Sequence, residues 1–240
     1  PPMKTSADIK ITLGPGPNSN DPWGNFASFY TRRPRSRLGL YSVIQEAMRN
    51  VENLESPLVI LAEVKSGKIP LRICANLKRD IRSALELSRS WAVPVLLEGG
   101  TECYHYFPEM KTQQFALLYA PILNPPSFRL ETDWGEEQQT PHLFLPQLCV
   151  QAGIPLAITS SGDISLSEAS KICLRYGLAE GEVLNVITLQ PAKILGIADQ
   201  VGSLEPGKFA DILIFNGHPF QFTGKLETVF IQGTLVYQKK

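Results

Sequence analysis

The stretch from Asn185 to Gly217 constrains the fold of this chain more than any other part of it. It contains a short helical segment that begins near Thr188 and closes at Gly196, then a loop, then the apolar strand 211–215. Pro191 suits the first turn of a helix, where its missing N–H has no partner to lose, and a glycine suits a helix exit. That order of local structure occurs in many folds, but the complete string is specific enough to compare with known families.

Upstream of this stretch, short apolar strands alternate with amphipathic helices. The predicted strands are 8–13, 69–75, 94–97, 117–121 and 155–159. The predicted helices, in which apolar residues recur at helical spacing, are 36–51, 57–64, 80–91, 166–176 and 179–187. Ser165 or Ser167 is the predicted N-cap of the helix 166–176. Strands that alternate with helices in this way indicate βα units and a parallel sheet.

The pattern changes after Phe209, where strands follow one another without helices between them. The segments 211–215, 226–231 and 235–238 are predicted strands, and Gln232-Gly233 predicts a hairpin between the last two. We therefore predict two domains. A (β/α) barrel portion spans 1–200, and a small antiparallel β appendage of the sandwich type spans 201–240.

Composition and charge argue against several classes of function. The 43% of hydrophobic and 19% of charged residues are ordinary for a globular protein. The 23 basic and 23 acidic residues cancel, so no long-range field favours nucleic acid or an anionic membrane as a partner. The sequence contains no apolar run of the about 18 residues needed to cross a bilayer. It shows no signal-peptide core either, and its localisation is unknown.

The four cysteines of the chain include no CxxC pair and do not mark a disulfide scaffold. They are Cys74, Cys103, Cys149 and Cys173. Buried free thiols are therefore the expected state.

Other segments accompany the stretch 185–217 in an order that is known from one superfamily. They are 34–40 (PRSRLGL), 69–76 (IPLRICAN) followed by 80–85, 95–102 (VLLEGGTE) and 152–161 (AGIPLAITSS). Together they closely resemble amidohydrolase-superfamily enzymes of the imidazolonepropionase-like type. The resemblance covers nearly all 240 residues.

This resemblance implies an α/β fold in which a partial TIM-like (β/α) barrel is followed by a C-terminal antiparallel β appendage of the composite domain. The barrel portion corresponds to strands about 4 to 8 of the family. The family's first strand, with its His-x-His pair, and the β strands that precede the barrel have no counterpart here. We therefore expect the chain to represent the C-terminal portion of such a protein.

The resemblance also implies a divalent metal, often zinc, that lowers the pKa of a bound water. In the family, histidine ligands follow strands five and six, and an aspartate after strand eight handles the proton of the water. The matching positions here hold Cys74, Gly99 and Ser161. A lone cysteine is more often buried than a ligand, glycine has no side chain, and serine cannot act as a carboxylate base. Asp163 could replace the aspartate if its loop shifts, so Ser161 and Asp163 are the catalytic candidates.

Five residues near the predicted strand ends are candidates for a substrate pocket: Cys74, Asn76, Glu98, Glu102 and His105. The spacing of Glu98, Glu102, Cys103 and His105 matches no closed tetrahedral metal site. Glu98 and Glu102 would need opposed environments to act as an acid–base pair. Lys10 lies where some relatives carry a metal-bridging lysine carbamate, although an exposed strand lysine is the simpler interpretation.

A Ser–His–Asp triad can also be written from Ser160 or Ser161, His142 or His105, and Asp163. The sequence lacks the Gly-x-Ser-x-Gly elbow that would position such a serine, so coincidence is the favoured interpretation.

Our leading hypothesis is an amidohydrolase-like protein, resembling hydrolases of non-peptide carbon–nitrogen bonds such as cyclic amides, whose metal-dependent catalysis is lost. It predicts no cofactor. Two alternatives are an active hydrolase that binds zinc or another divalent metal with ligands from other segments, and a non-catalytic interaction or ligand-binding module. A cysteine-dependent enzyme using Cys74 is a further alternative, so whether the chain is an enzyme is open. The expected partners are the missing N-terminal half or a homo-oligomer, with a small-molecule substrate if it is active.

Overall fold

The computed structural model describes residues 7–13, 37–51, 60–121, 142–160, 164–221 and 223–239. Predictions about Ser161 and Asp163 fall outside these residues. The elements of the described part, numbered in chain order, are β1 (Ile9–Thr12), α1 (Arg37–Arg49), α2 (Leu61–Lys65), β2 (Leu71–Ala75), α3 (Lys78–Trp91), β3 (Val95–Gly99), α4 (Phe107–Thr112), β4 (Ala116–Tyr119), α5 (Leu145–Ala152), β5 (Leu156–Ile158), α6 (Leu166–Arg175), α7 (Glu180–Ile187), α8 (Leu189–Leu195), β6 (Ile212–Asn216), β7 (Lys225–Ile231) and β8 (Thr234–Gln238).

The strands β1 to β5 form one parallel sheet in which the strand order follows the chain order. Lys10 lies opposite Arg72 across β1 and β2, and Cys74 lies opposite Glu98 across β2 and β3. A doubly wound sheet reverses its strand order at a switch point, whereas sequential order is that of a (β/α) barrel. The sheet therefore confirms the prediction of a parallel α/β fold that forms part of a barrel.

The two faces of this sheet differ because side chains alternate along each strand. One face belongs to the main hydrophobic core, to which it contributes Leu71, Ile73, Val95, Leu97, Leu117 and Leu156. We call the other face the inner face and define it by Asp8, Lys10, Arg72, Cys74 and Glu98. These five side chains are polar and none of them is fully buried. The core therefore lies on the helical side of the sheet. The candidate residues lie on the inner face and at the carboxyl ends of its strands.

Helix α3 shows why the helices cover the core face. Its buried residues include Ile81, Ala84, Leu85 and Ser88, which recur at the i, i+3, i+4, i+7 spacing of one helical stripe. The opposite side of the helix carries charged residues such as Arg82 and Glu86. An amphipathic helix of this kind must bury its apolar stripe against a neighbour, and α3 packs on β2.

The C-terminal strands form a separate antiparallel sheet in the order β6-β7-β8. Gln232 and Gly233, with φ angles of 50° and 77°, join β7 to β8. Two consecutive residues with positive φ are typical of a type I′ hairpin, which confirms the predicted turn. The small antiparallel appendage is thus confirmed, while the division of the chain into two domains near residue 200 stays a prediction.

Helix α2 begins at Leu61 and overlaps the predicted helix 57–64, of which residues 57–59 lie outside the described ranges. A 3-10 turn over Cys103–Tyr106 leads into α4, and neither was predicted. Together these two elements are only ten residues long, too short to show a helical repeat of apolar residues. Within the described ranges, no helix is long and apolar enough to cross a membrane.

Candidate functional site

The candidate residues lie where β2 and β3 end, because parallel strands bring their carboxyl ends to one edge of the sheet. Cys74 is on the inner face of β2, and Asn76 follows that strand. Glu98 and Gly99 are the last two residues of β3. The structure therefore places the predicted fifth- and sixth-strand positions side by side, as the resemblance implies.

Cys74 is partly buried and has no disulfide partner. Burial raises the pKa of its thiol, and the neighbouring carboxylate of Glu98 raises it further. Lys10 and Arg72 act in the opposite direction but do not reverse the shift. Because the thiolate is both the nucleophile and the metal ligand, a raised pKa disfavours a cysteine-dependent enzyme and disfavours ready metal binding.

Gly99 has a φ angle of 85°, a conformation that residues with a side chain rarely adopt. A Cβ atom at this position would lie 2.3 Å from Oδ1 of Asn76. The Asn76 amide is itself fixed, because the hydroxyl of Thr101 donates a hydrogen bond of 2.8 Å to the same oxygen. The sixth-strand position is therefore closed to any side chain unless Asn76 moves.

Glu102 makes a contact that gives it a structural role and requires no catalytic one. Its Oε2 accepts a hydrogen bond of 2.5 Å from the backbone N–H of Lys78, the first residue of α3. Leu77, at the N-cap position, offers no side-chain cap, and the N-terminal N–H groups of a helix need an acceptor. The backbone N–H of Glu102 also donates to the carbonyl of Asn76 at 3.0 Å. Glu102 thus caps a helix and ties the loop after β3 to the end of β2.

Glu98 points to other partners. Its Oε1 accepts a hydrogen bond of 2.6 Å from Nζ of Lys10, and its Oε2 lies 3.5 Å from Nη1 of Arg72. Arg72 also pairs with Asp8, with 3.0 Å between Nε and Oδ1. The four residues form a chain of alternating charge on the inner face. The proposed acid–base pair of Glu98 and Glu102 is therefore divided between an ion-pair network and a helix cap.

This network was not predicted from the sequence. A signal was present, because Asp8, which directly precedes β1, is two residues from Lys10 on that strand, and Arg72 and Cys74 are two apart on β2. Side chains two apart on a strand share a face. Only the register between strands shows that these residues meet Glu98, 88 positions beyond Lys10.

The three histidines of the chain lie in different surroundings. His105 is exposed, and its ring stacks on Tyr104 with centroids 4.2 Å apart. The Tyr104 ring also lies 4.8 Å from the ring of His142. His218 pairs through Nε2 with Oε1 of Glu180 on α7. His105 therefore remains a surface candidate, while His218 belongs to a structural contact.

Cys103, Cys149 and Cys173 are buried and free, as predicted. A hydrogen bond with Cys103 and burial both raise the pKa of the Cys149 thiol. Burial also raises the pKa of Cys173, to about 12. Cys103 is therefore part of the core and does not join Glu98, Glu102 and His105 in a metal cluster.

Comparison with known proteins agrees with this geometry. Residues 140–236 match the profile of the amidohydrolase family. The imidazolonepropionase of Geobacillus kaustophilus (strain HTA426) is 39% identical over 74 residues, which are 28% of this chain and 18% of that protein. The imidazolonepropionase of Flavobacterium psychrophilum is 30% identical over 102 residues, or 36% of this chain and 25% of that protein. The matched stretches thus span a quarter or less of these curated relatives.

A solved structure extends the likeness to nearly the whole chain. The crystal structure of an amidohydrolase from Thermotoga maritima MSB8 superposes with a TM-score of 0.83 and 25% identity, over 99% of this chain and 64% of that one. A Xaa-Pro dipeptidase with bound methionine in its active site superposes with a TM-score of 0.64 at 16% identity, which indicates a shared fold alone. A parallel sheet in barrel order, its candidate site at the strand ends, and a small antiparallel sheet define an amidohydrolase-type barrel protein. The chain is thus similar to proteins of the amidohydrolase superfamily, the imidazolonepropionases among them.

Members of this superfamily generally use a divalent metal such as zinc, and the described residues do not fit one. The sixth-strand position is a glycine blocked by Asn76, and the fifth-strand position is a thiol whose pKa is raised. In the described ranges, no three histidine, cysteine, aspartate or glutamate residues are close enough together to hold a metal ion. Ser161 and Asp163 lie outside those ranges, so their catalytic roles stay predictions.

Proposed function

We propose that this chain is the degenerate C-terminal part of an amidohydrolase-like protein that no longer carries out metal-dependent hydrolysis. It resembles hydrolases of non-peptide carbon–nitrogen bonds, including the imidazolonepropionases, and it serves as a non-catalytic ligand-binding or interaction module. The observation that carries the proposal is the environment of Gly99. A histidine there would need both a φ angle that side chains disfavour and the space that the Asn76 amide occupies.

Two further observations support the loss of metal chemistry. The thiol of Cys74 has a raised pKa, so it is neutral at physiological pH. The nearest inner-face carboxylate, Glu98, is engaged by Lys10 at 2.6 Å. Each remaining donor would therefore have to lose a proton or a partner before it could hold a metal, and a water would lack the Lewis acid that lowers its pKa.

The alternative is an active hydrolase of cyclic amides whose metal ligands come partly from segments outside this chain. The observation that favours it is coverage, because the chain spans 64% of the T. maritima structure and the matched stretches span 18% to 25% of two imidazolonepropionases. The metal content of the protein separates this alternative from our proposal.

The test is elemental analysis of the purified protein after expression in medium supplemented with zinc, iron and manganese. We expect far less than one metal per chain, and no ring opening of a cyclic amide such as a hydantoin or an imidazolone by absorbance. The Cys74→Ser variant is the matched control, because metal that persists in this variant is not held by Cys74. Stoichiometric metal that Cys74→Ser abolishes would overturn the proposal, and ring opening of the cyclic amide in addition would favour the alternative.

A further inference from the structure

The ion pairs on the inner face occupy the centre of the candidate site. Lys10 and Arg72 are opposite each other in the β1–β2 register, and Glu98 is opposite Cys74 in the β2–β3 register. Glu98 therefore lies one layer nearer the strand ends than the two cations. Its carboxylate reaches back to both of them, at 2.6 Å from Nζ of Lys10 and 3.5 Å from Nη1 of Arg72.

The network is balanced in charge. Two cations, Lys10 and Arg72, face two carboxylates, Asp8 and Glu98, and Arg72 lies between the carboxylates. The side chain of Glu98 is 27% exposed and that of Lys10 is 43% exposed, so the ion pair is partly screened but not fully hydrated. Opposite charges that are this close and partly buried attract each other more strongly than they do in bulk water.

This arrangement has a direct consequence for metal binding. A divalent cation beside Cys74 would need the Glu98 carboxylate, because Glu98 is the residue paired with Cys74 across the strands. To bind it through Oε1, Glu98 would have to release Lys10. Binding through Oε2, which has no hydrogen-bond partner, would still leave the Lys10 ammonium beside the metal, where it would repel it. A fixed ammonium and a bound metal are therefore competing ways to neutralise this carboxylate.

We propose that Lys10, through its ion pair with Glu98, supplies the positive charge that a metal would otherwise bring to this site, and that it thereby prevents the site from binding divalent cations. The inference rests on the proposed function and adds a specific residue to it. The loss of ligands at positions 74 and 99 explains why a metal is poorly held. Lys10 gives the independent reason that the remaining thiol and carboxylate do not hold one either.

The raised pKa of the Cys74 thiol is consistent with this account. Burial is its largest cause and Glu98 is the second, while Lys10 lowers the pKa. Lys10 thus offsets part of the effect of Glu98 on the thiol but does not create a thiolate. Removing Lys10 would free the Glu98 carboxylate, and a bound metal would then supply the charge that releases the thiol proton.

The experiment is a titration of the full chain with Co²⁺. The readout is the near-ultraviolet charge-transfer band of a cobalt-bound thiolate. We expect no band for the wild type, and for Lys10→Met a band with affinity at least about tenfold tighter, since a nearby cation has been removed. Lys10→Gln is a second variant in case Lys10→Met does not fold. Its amide is neutral but can still donate a hydrogen bond to Glu98, and it should show the same cobalt band. Lys10→Arg keeps a cation and should give no band.

Two controls locate the effect. Lys68→Met removes a lysine whose ion pair with Glu63, at 3.0 Å, lies outside the inner face, and it should leave Co²⁺ binding unchanged. Cys74→Ser combined with Lys10→Met should abolish the band. If folded Lys10→Met and Lys10→Gln bind no more Co²⁺ than the wild type, the role of Lys10 is wrong and the proposed function stands. If the wild type itself shows the band, the proposed function fails instead.

Discussion

Oδ1 of Asn76 lies 2.3 Å from the point where a Cβ atom on Gly99 would be. Real Cβ atoms do not make contacts this close, so one of the two residues would have to move. The positive φ of Gly99 adds a second penalty that does not depend on Asn76. The glycine at the sixth-strand position is therefore required by the local structure, and substitution should reveal two separable costs.

Gly99→Ala is expected to lower the free energy of unfolding by about 3 kcal/mol, from a strained backbone and a displaced Asn76 amide. Gly67→Ala is the matched control, because its φ is 72° but a Cβ there meets nothing within 4 Å. It should cost only about 1 kcal/mol, the backbone part of the penalty. Urea denaturation measures both, and equal costs for the two variants would show that the Asn76 contact is unimportant.

Glu102 provides the second prediction, which separates a helix cap from a metal ligand or a pocket residue. Glu102→Ala removes the acceptor for the Lys78 N–H and should cost about 1 kcal/mol of stability, as loss of an N-terminal cap does. Glu86→Ala removes an exposed carboxylate 3.8 Å from Arg82 and should cost a few tenths of a kcal/mol. Thermal unfolding monitored by circular dichroism makes the comparison. A Glu102 variant as stable as the Glu86 variant would contradict the capping role.

The Ser165–Glu168 capping box at the start of α6 gives a prediction about pH. The Ser165 hydroxyl, and then its backbone N–H, lower the pKa of the Glu168 carboxyl. A lowered folded-state pKa means that this contribution to stability is complete above the unfolded-state pKa of about 4.3 and is lost as pH falls through the folded-state pKa. Ser165→Ala should therefore destabilise the protein at neutral pH, and the difference from wild type should shrink in acid.

Carboxyl NMR titration of Glu168 checks this directly, because its pKa should rise toward the ordinary value in Ser165→Ala. Ser167→Ala is the control, since Ser165 is the residue whose side chain accepts the hydrogen bond from the Glu168 N–H. An equal rise in both variants would mean that the shift does not come from the cap.

Much of the fold could be predicted because its signals are local and repeated. Apolar strands and striped helices recur along the chain, and Gln232-Gly233 marks a hairpin whose conformation follows from those two residues. Ser165 and Ser167 were equivalent as N-cap candidates in the sequence. Only the structure separates them, through the reciprocal bonds between Ser165 and Glu168.

The candidate site was harder to predict because its contacts join distant positions. Glu98 meets Lys10 across 88 positions, and Glu102 caps a helix that begins 24 positions earlier. Strand periodicity assigns each side chain to a face, but the register and the side-chain direction decide which charges meet. Glu98 and Glu102 could therefore be identified as candidates from the sequence. That Glu98 joins an ion-pair network and Glu102 caps a helix could not be predicted.

Phe220 supplies the last prediction, on how the connection between β6 and β7 is held. Its side chain is 8% exposed and joins the main hydrophobic core, whereas Phe209 is 43% exposed. Phe220→Ala should cost about 3 kcal/mol because it leaves a cavity, and Phe209→Ala should cost less than about 1 kcal/mol. Hydrogen exchange should also quicken in β6 and β7, which flank the connection. Equal stability losses, or unchanged exchange in both strands, would show that the core does not hold the antiparallel sheet through Phe220.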